Sequence, residues 1–194
     1  MQNSTEPSHT SPKWFLSPIK GGQVNKSYYV SYATVHKLVK ALAQKVIDSD
    51  YETDVIVAIG SGGFIPARIL KTFINRPILA VGISYYGIDD KPFTSPQKIQ
   101  WIDETQQKIT GKKVLLIDEV DDTRVTLNYC INELLKHKPK EIAVCVLHNK
   151  LKPKEAEMPK AIKRYYIGQN IDPLWIKYPW DAIDIDEHTK KEKR

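Results

Sequence analysis

The chain has 194 residues, with 29 Lys and Arg against 23 Asp and Glu and a formal charge of +6. That length suits one α/β domain with appendages rather than two full domains. No apolar run approaches the roughly 20 residues that span a bilayer, so a membrane-embedded protein is not expected.

Residues 1–27 are rich in Ser, Pro, Gly and Asn without a sustained period, and read as a flexible tail in which Trp14, Phe15 and Leu16 are the residues able to dock. The start, MQNSTEPSHTSP, has neither a basic nor an apolar segment of the secretory type. Ser31 then caps a helix on which Val35, Leu38, Val39, Leu42 and Val46 recur at helical spacing. His36 lies beside that stripe with no partner at ligand spacing and reads as structural.

DVIVAIG (54–60) is a central strand, followed by Ser61, Gly62 and Gly63 and a helix from about Pro66 to Phe73. The turn is not a dinucleotide fingerprint, because Ile65 stands where the third glycine belongs. Gly62 and Gly63 suit either a tight structural turn or close backbone approach to an anion. ILAVGIS (78–84) is the next strand, and residues 85–98 read as a long mobile loop of the kind that closes over a site, with IQWID (99–103) a short returning strand.

KVLLIDEVDDTRVTL (113–127) carries the most information. Val114 to Ile117 form a strand of the type buried on both faces, and Asp118 and Glu119 fall at its carboxyl end, where open α/β sheets bind ligands. Asp122, Thr123, Arg124, Val125 and Thr126 then supply backbone N–H groups and two hydroxyls at the start of a helix beginning near Val125, a setting for a phosphate; the two threonines also suit helix capping. The pattern predicts a pocket for a ligand with vicinal hydroxyls and a terminal phosphate. Asp122, inside the turn, is the candidate base. A receiver-type phosphoacceptor is the competing idea, but the strand ending at Gly60 lacks the acids it needs.

The helix ends near His137, and EIAVCVLH (141–148) is a further parallel strand. Strands alternating with helices predict a doubly wound, mostly parallel sheet. Beyond Lys150, RYYIG and LWIKYPWDAIDIDEHT read as a small accessory subdomain, and KKEKR (190–194) as a basic tail. Lys150, Lys152, Lys154, Lys160, Lys163 and Arg164 cluster without interleaved aromatics, so they read as solvated surface rather than a nucleic-acid site. Cys130 and Cys145 sit in a helical and a strand pattern and read as buried side chains, which suits the cytoplasm.

IDEVDDTRVTL resembles the signature of the type I phosphoribosyltransferases, in the form found in fungal-type hypoxanthine-guanine and xanthine phosphoribosyltransferases. AIGSGGFIPARIL, the Ser-Tyr before the loop, QWID, VLHNKLKP and WIKYPWDA follow in the same order, so the resemblance covers residues 28–189. It implies a core over about 28–149 and a hood mainly over about 150–182. Asp118 and Glu119 would hold the ribose hydroxyls of phosphoribosyl diphosphate, Asp122 to Thr126 its 5′-phosphate, and Ser61, Gly62 and Gly63 the diphosphate.

The same resemblance makes Asp122 the residue that handles the N7 proton of a purine as N9 attacks C1′. Lys150 would contact the 6-oxo group, Trp175 would stack on the ring and Ile176 would bond its exocyclic edge through the backbone. Ser84 and Tyr85 would belong to the lid, and Asp181 would ligate Mg2+. The implied activity is purine salvage, 6-oxopurine plus phosphoribosyl diphosphate giving a nucleoside 5′-monophosphate and diphosphate. Its partners would be those small molecules and further copies of the chain, as a dimer or tetramer. Arg124 departs from the glycine of many relatives, and Ser61 from a basic residue found in some. The alternatives are a regulator that senses phosphoribosyl diphosphate on the same fold, and a nucleic-acid binder whose affinity falls steeply with salt.

Overall fold

A computed structural model of the chain describes residues 27–86 and 92–192. Residues 1–26 of the expected tail, with Trp14, Phe15 and Leu16, lie outside them, and Ser27, its last residue, instead begins the first strand. A six-stranded sheet has the order β4-β3-β2-β5-β6-β7, with β2 (Val55–Gly60), β3 (Ile78–Tyr86), β5 (Lys113–Asp121), β6 (Glu141–Lys150) and β7 (Arg164–Ile171) parallel. Only β4 (Pro92–Gln100) runs antiparallel, on the edge beside β3.

Alternation along the buried strands builds two cores. Leu115 and Ile117 face one way, packing with Ile56, Ala58 and Cys145 against α1 (Tyr32–Asp48) and α2 (Phe64–Ile74). Val114 and Leu116 face the other way, with Val57 and Val144 against α3 (Thr105–Ile109) and α4 (Val125–Leu135). All four of these β5 side chains are fully buried, each worth about 1.5–3 kcal/mol relative to exposure. Helices on both faces make the fold doubly wound, as the alternating pattern predicts. Ser31 caps α1 as expected, its Oγ accepting from Thr34 N at 3.2 Å. Cys130 and Cys145 are buried free thiols, and His36 packs against Phe73 rather than near a ligand cleft.

Three segments differ from expectation. The stretch foreseen as a loop (85–98) is largely a hairpin, because β3 runs on to Tyr86 and β4 returns from Pro92; Ile99 and Gln100 end β4, so 99–103 is not a separate strand. RYYIG lies in β7, the far edge of the main sheet, since Arg164 to Ile167 pair with Ala143 to Val146 of β6. Lys190 to Glu192 finish α5 (Ile185–Glu192) instead of forming a tail, because Glu192 accepts from Ser31 N at 2.7 Å and His188 bonds the Val30 carbonyl at 2.9 Å. α5 thereby clasps a second, two-stranded sheet in which β1 (Ser27–Tyr29) pairs with β8 (Trp175–Lys177).

The order of the strands locates the site. The chain leaves β2 toward β3 on one side and comes back to β5 on the other, so the carboxyl ends of β2 and β5 border the switch point where such sheets bind ligands.

Candidate functional site

A cleft of about 450 Å³ opens at that switch point and is lined by Ser61, Gly62, Ser84, Tyr85, Asp118, Glu119, Asp122, Thr123, Arg124, Thr126 and Trp175, among others. A second cavity of about 200 Å³ adjoins it through the shared Glu119, Asp122 and Trp175, and adds Lys150, Ile176, Tyr178 and Asp181. Two expected residues are not among the lining. Gly63 sits behind the cleft with its N–H donated to Ile59 O at 2.9 Å, and a Cβ there would meet the Ile59 and Ile117 carbonyls at 2.5 and 2.8 Å. Val125 begins α4 just behind the phosphate turn.

Gly62 has a different reason to be glycine: a Cβ would fall 2.0 Å from the carboxyl carbon of Glu119. The glycine turn of β2 and the acidic end of β5 are therefore in direct contact. The Gly60–Ser61 peptide that opens the glycine turn is cis. Burial, and then the charge of Glu119, push the Asp118 carboxyl well above the usual carboxylate range. Burial and Glu119 also raise Asp181. Glu119 lines both cavities and repels Asp118 in one and Asp181 in the other, and carboxylate oxygens of this kind suit a hard divalent cation. Among the described residues no three His, Cys, Asp or Glu side chains gather as a metal cage. The set fits an ion that takes its remaining ligands from substrate and water.

Asp122 is held by two lysines. Lys150 Nζ donates to Oδ2 at 2.6 Å and Lys152 pairs with Oδ1. Burial alone would raise this carboxyl, but the hydrogen bonds and charges of Lys150 and Lys152 outweigh it and keep the group below its ordinary value. Lys150 also stands 5.8 Å from the centre of the Trp175 ring. Trp175 is 60% exposed, whereas Trp180 stacks on Tyr178 at 4.5 Å and serves packing.

The helix beyond the turn starts with Asn128 N donating to Arg124 O at 2.8 Å. The N–H groups of Val125, Thr126 and Leu127 therefore precede the first helical bond. Thr123 Oγ1 accepts from Val125 N at 3.4 Å, but the cap position is Arg124, with φ 71° and ψ 0° and no side-chain cap bond. Its guanidinium instead bonds Asp121.

Lys152, Lys154, Tyr178 and His148 were not foreseen as participants. The reading of Lys150, Lys152 and Lys154 as solvated surface is corrected: Lys150 is 7% exposed, and Lys154 donates to the carbonyls of Asp121, Asp122 and Lys150. Their alternation at every second residue, directly after an apolar strand, was the available signal. Tyr178 donates to Glu119 O at 2.9 Å, so the 2.8 Å bond with His148 must run from His148 Nδ1–H to the Tyr178 oxygen. His148 is buried, and burial lowers its pKa to about 4. Nothing local to His148 or Tyr178, 30 residues apart, announces that pairing.

Known proteins resemble this chain over most of its length. Residues 31–182 match the family model described as the phosphoribosyl transferase domain. Hypoxanthine-guanine phosphoribosyltransferase of Schizosaccharomyces pombe is 40% identical, with 82% of this chain and 91% of that protein covered. Xanthine phosphoribosyltransferase 1 of Saccharomyces cerevisiae is 39% identical, covering 85% and 94%. A crystal structure of a Neisseria gonorrhoeae protein with bound ppGpp superposes with a TM-score of 0.82 at 41% identity, covering 89% of this chain and 98% of that one.

Proposed function

The chain belongs to the phosphoribosyl transferase domain family, and from that premise we propose that it is a purine salvage phosphoribosyltransferase. It transfers 5-phosphoribosyl from phosphoribosyl diphosphate to N9 of hypoxanthine, guanine or xanthine, releasing diphosphate. The observation that carries the reading is the continuity of the two cavities, one with the acidic pair and phosphate turn, the other with Lys150, Trp175 and Ile176.

In this reading Asp118 and Glu119 bind the ribose hydroxyls, and the turn from Asp122 to Thr126 binds the 5′-phosphate at the start of α4. Ser61 and Gly62 line the diphosphate, with Gly63 holding their turn from behind. Lys150 donates to the purine 6-oxo group and Trp175 stacks on the ring. An amino group in place of the oxo group would face an ammonium, so adenine is rejected. Val30 N donates to Lys177 O. Since alternate residues of a strand direct their backbone polar groups to opposite sides, those of Ile176 point away from β1, which supports their use on the exocyclic edge of the base.

Asp122 accepts the N7 proton as N9 attacks C1′. The anomeric carbon becomes cation-like as its bond breaks, so water must be excluded, and the β3–β4 hairpin bearing Ser84 and Tyr85 is positioned to do so. Asp181, together with oxygens of the substrate, would hold Mg2+, which would supply charge neutralisation at the leaving diphosphate. Two buried free thiols support a reducing cytoplasm, and we expect a dimer or tetramer there.

Turnover measured separately with guanine, hypoxanthine, xanthine and adenine tests the reading. Activity is expected on one or more 6-oxopurines and not on adenine. Equal activity on adenine would remove Lys150 from its role, and no turnover with any base would favour a regulator. The gonococcal relative carries ppGpp, and a guanine nucleotide rich in phosphate would match the purine side and the phosphate turn proposed for this cleft. Inhibition competitive with phosphoribosyl diphosphate is the expected behaviour.

A further inference from the structure

Arg124 has a backbone that its residue type disfavours. The left-handed conformation at φ 71° is uncommon for a non-glycine residue and is usually local to Asn, Asp or Gly. The compensation is a buried assembly behind the turn. Nε and Nη2 of Arg124 both donate to Asp121 Oδ2, at 2.9 and 2.8 Å, and the hydroxyl of Tyr165 from β7 donates to the same oxygen at 2.6 Å. The guanidinium lies 5.7 Å from the centre of the Tyr165 ring. The Asp121 side chain is fully buried.

The main chain of the turn is gripped from the same side. Lys154 donates to the carbonyls of Asp121 and Asp122 at 2.7 and 3.0 Å, and Glu155 N donates to Thr123 O at 3.0 Å. In a trans peptide the N–H points opposite to the carbonyl that precedes it. With the carbonyls of Asp121, Asp122 and Thr123 all taken by residues 154 and 155, the N–H groups of Asp122, Thr123 and Arg124 point away from that segment.

We propose that Asp121, Arg124, Tyr165 and Lys154 are positioning residues that set the phosphate turn in its anion-binding conformation before ligand arrives, with the Arg124 side chain serving as a strut to Asp121 rather than as a phosphate ligand. This rests on the phosphoribosyl-binding reading of the cleft. Neither Asp121 nor Tyr165 lines the cleft, so neither can act by touching the ligand. Arg124 exchanges the freedom of its side chain for a fixed tie through Asp121 to Tyr165 of β7.

The test is a steady-state comparison of wild type with Tyr165→Phe, Arg124→Gly and the double variant, together with calorimetric binding of phosphoribosyl diphosphate and of inorganic phosphate. Loss of a hydrogen bond to a charged group corresponds to about tenfold in affinity. Tyr165→Phe is therefore expected to raise KM for phosphoribosyl diphosphate by about that factor, leaving kcat and the purine KM near wild type. Arg124→Gly is expected to act in the same direction, and the double variant to be no worse than Arg124→Gly alone, because both changes break one assembly. A wild-type KM in Tyr165→Phe beside a large effect of Arg124→Gly would overturn the proposal in favour of direct phosphate contact. Equal losses in kcat and in purine binding would reduce the assembly to general structure and overturn it as well. A wild-type chain that binds phosphoribosyl diphosphate yet turns over no purine fails the function alone, and the strut is then judged on the binding constants.

Discussion

Lys150 and Asp122, 28 residues apart, form an ion pair of 2.6 Å between the ends of two neighbouring strands. Both groups proposed to read the purine are therefore engaged with each other before it enters. An ammonium has three donors, so Lys150 can turn one toward a 6-oxo group while keeping Asp122. Lys152, on the other carboxylate oxygen, holds Asp122 whether or not Lys150 is drawn away.

Asp122→Asn keeps the shape of the turn and removes the base. Its kcat is expected to fall about a hundredfold or more, the usual scale for a positioned acid or base, while phosphoribosyl diphosphate still binds. Equilibrium binding beside single-turnover rates separates the two effects, and unchanged turnover would take Asp122 out of its role.

Lys152→Met tests the electrostatics of the same group. The two lysines hold Asp122 below its ordinary value against the opposing effect of burial, so it stays ionised into acid and is protonated only as pH falls through the lowered value. Removing Lys152 raises that value. The acid limb of kcat/KM is expected to move to higher pH, with the variant matching wild type near pH 8 and losing activity sooner below it. Superimposable profiles would show that Lys152 does not tune Asp122.

His148 makes folding stability depend on pH. Its pKa is about 4 in the folded protein against an ordinary 6.5, so between those values the unfolded chain binds the proton and the native one does not. Stability contributed by neutral His148 is present above about 6.5 and is lost as pH falls toward about 4, by on the order of 3 kcal/mol. Urea unfolding of wild type and His148→Gln across that window should give a shallower slope for the variant. Parallel curves would refute the assignment.

Gly63→Ala should cost stability rather than chemistry. The added methyl has backbone oxygens of Ile59 and Ile117 at 2.5 and 2.8 Å, and neither can swing aside as a side chain would. A loss of about 1–3 kcal/mol is expected, seen as a fall of several degrees in Tm. An unchanged Tm would mean that the turn shifts freely.

Much of the site was legible because it is local. An apolar run ending in Asp118 and Glu119 defines a buried strand and its ligand-binding edge, and 122–126 follow directly as the start of a helix. Continuous apolar runs likewise identified the central strands, which are covered on both faces, and helical spacing identified α1, which is apolar on one face only. The hairpin of β3 and β4 was not legible, because Ser, Pro and Gly in the segment outweigh a weak strand pattern that only pairing with β3 stabilises.

What the sequence by itself determined was therefore the fold class, the switch-point cleft and the chemical types gathered there. Tertiary structure alone decided how the charges are partnered. Arg124 goes to Asp121 and Tyr165, Lys154 to three carbonyls, Lys152 to Asp122, and Tyr178 to Glu119 and His148. A lysine or tyrosine is surface or machinery according to whether it is desolvated beside a partner, and most of these partners lie far away in the chain, beyond any local period.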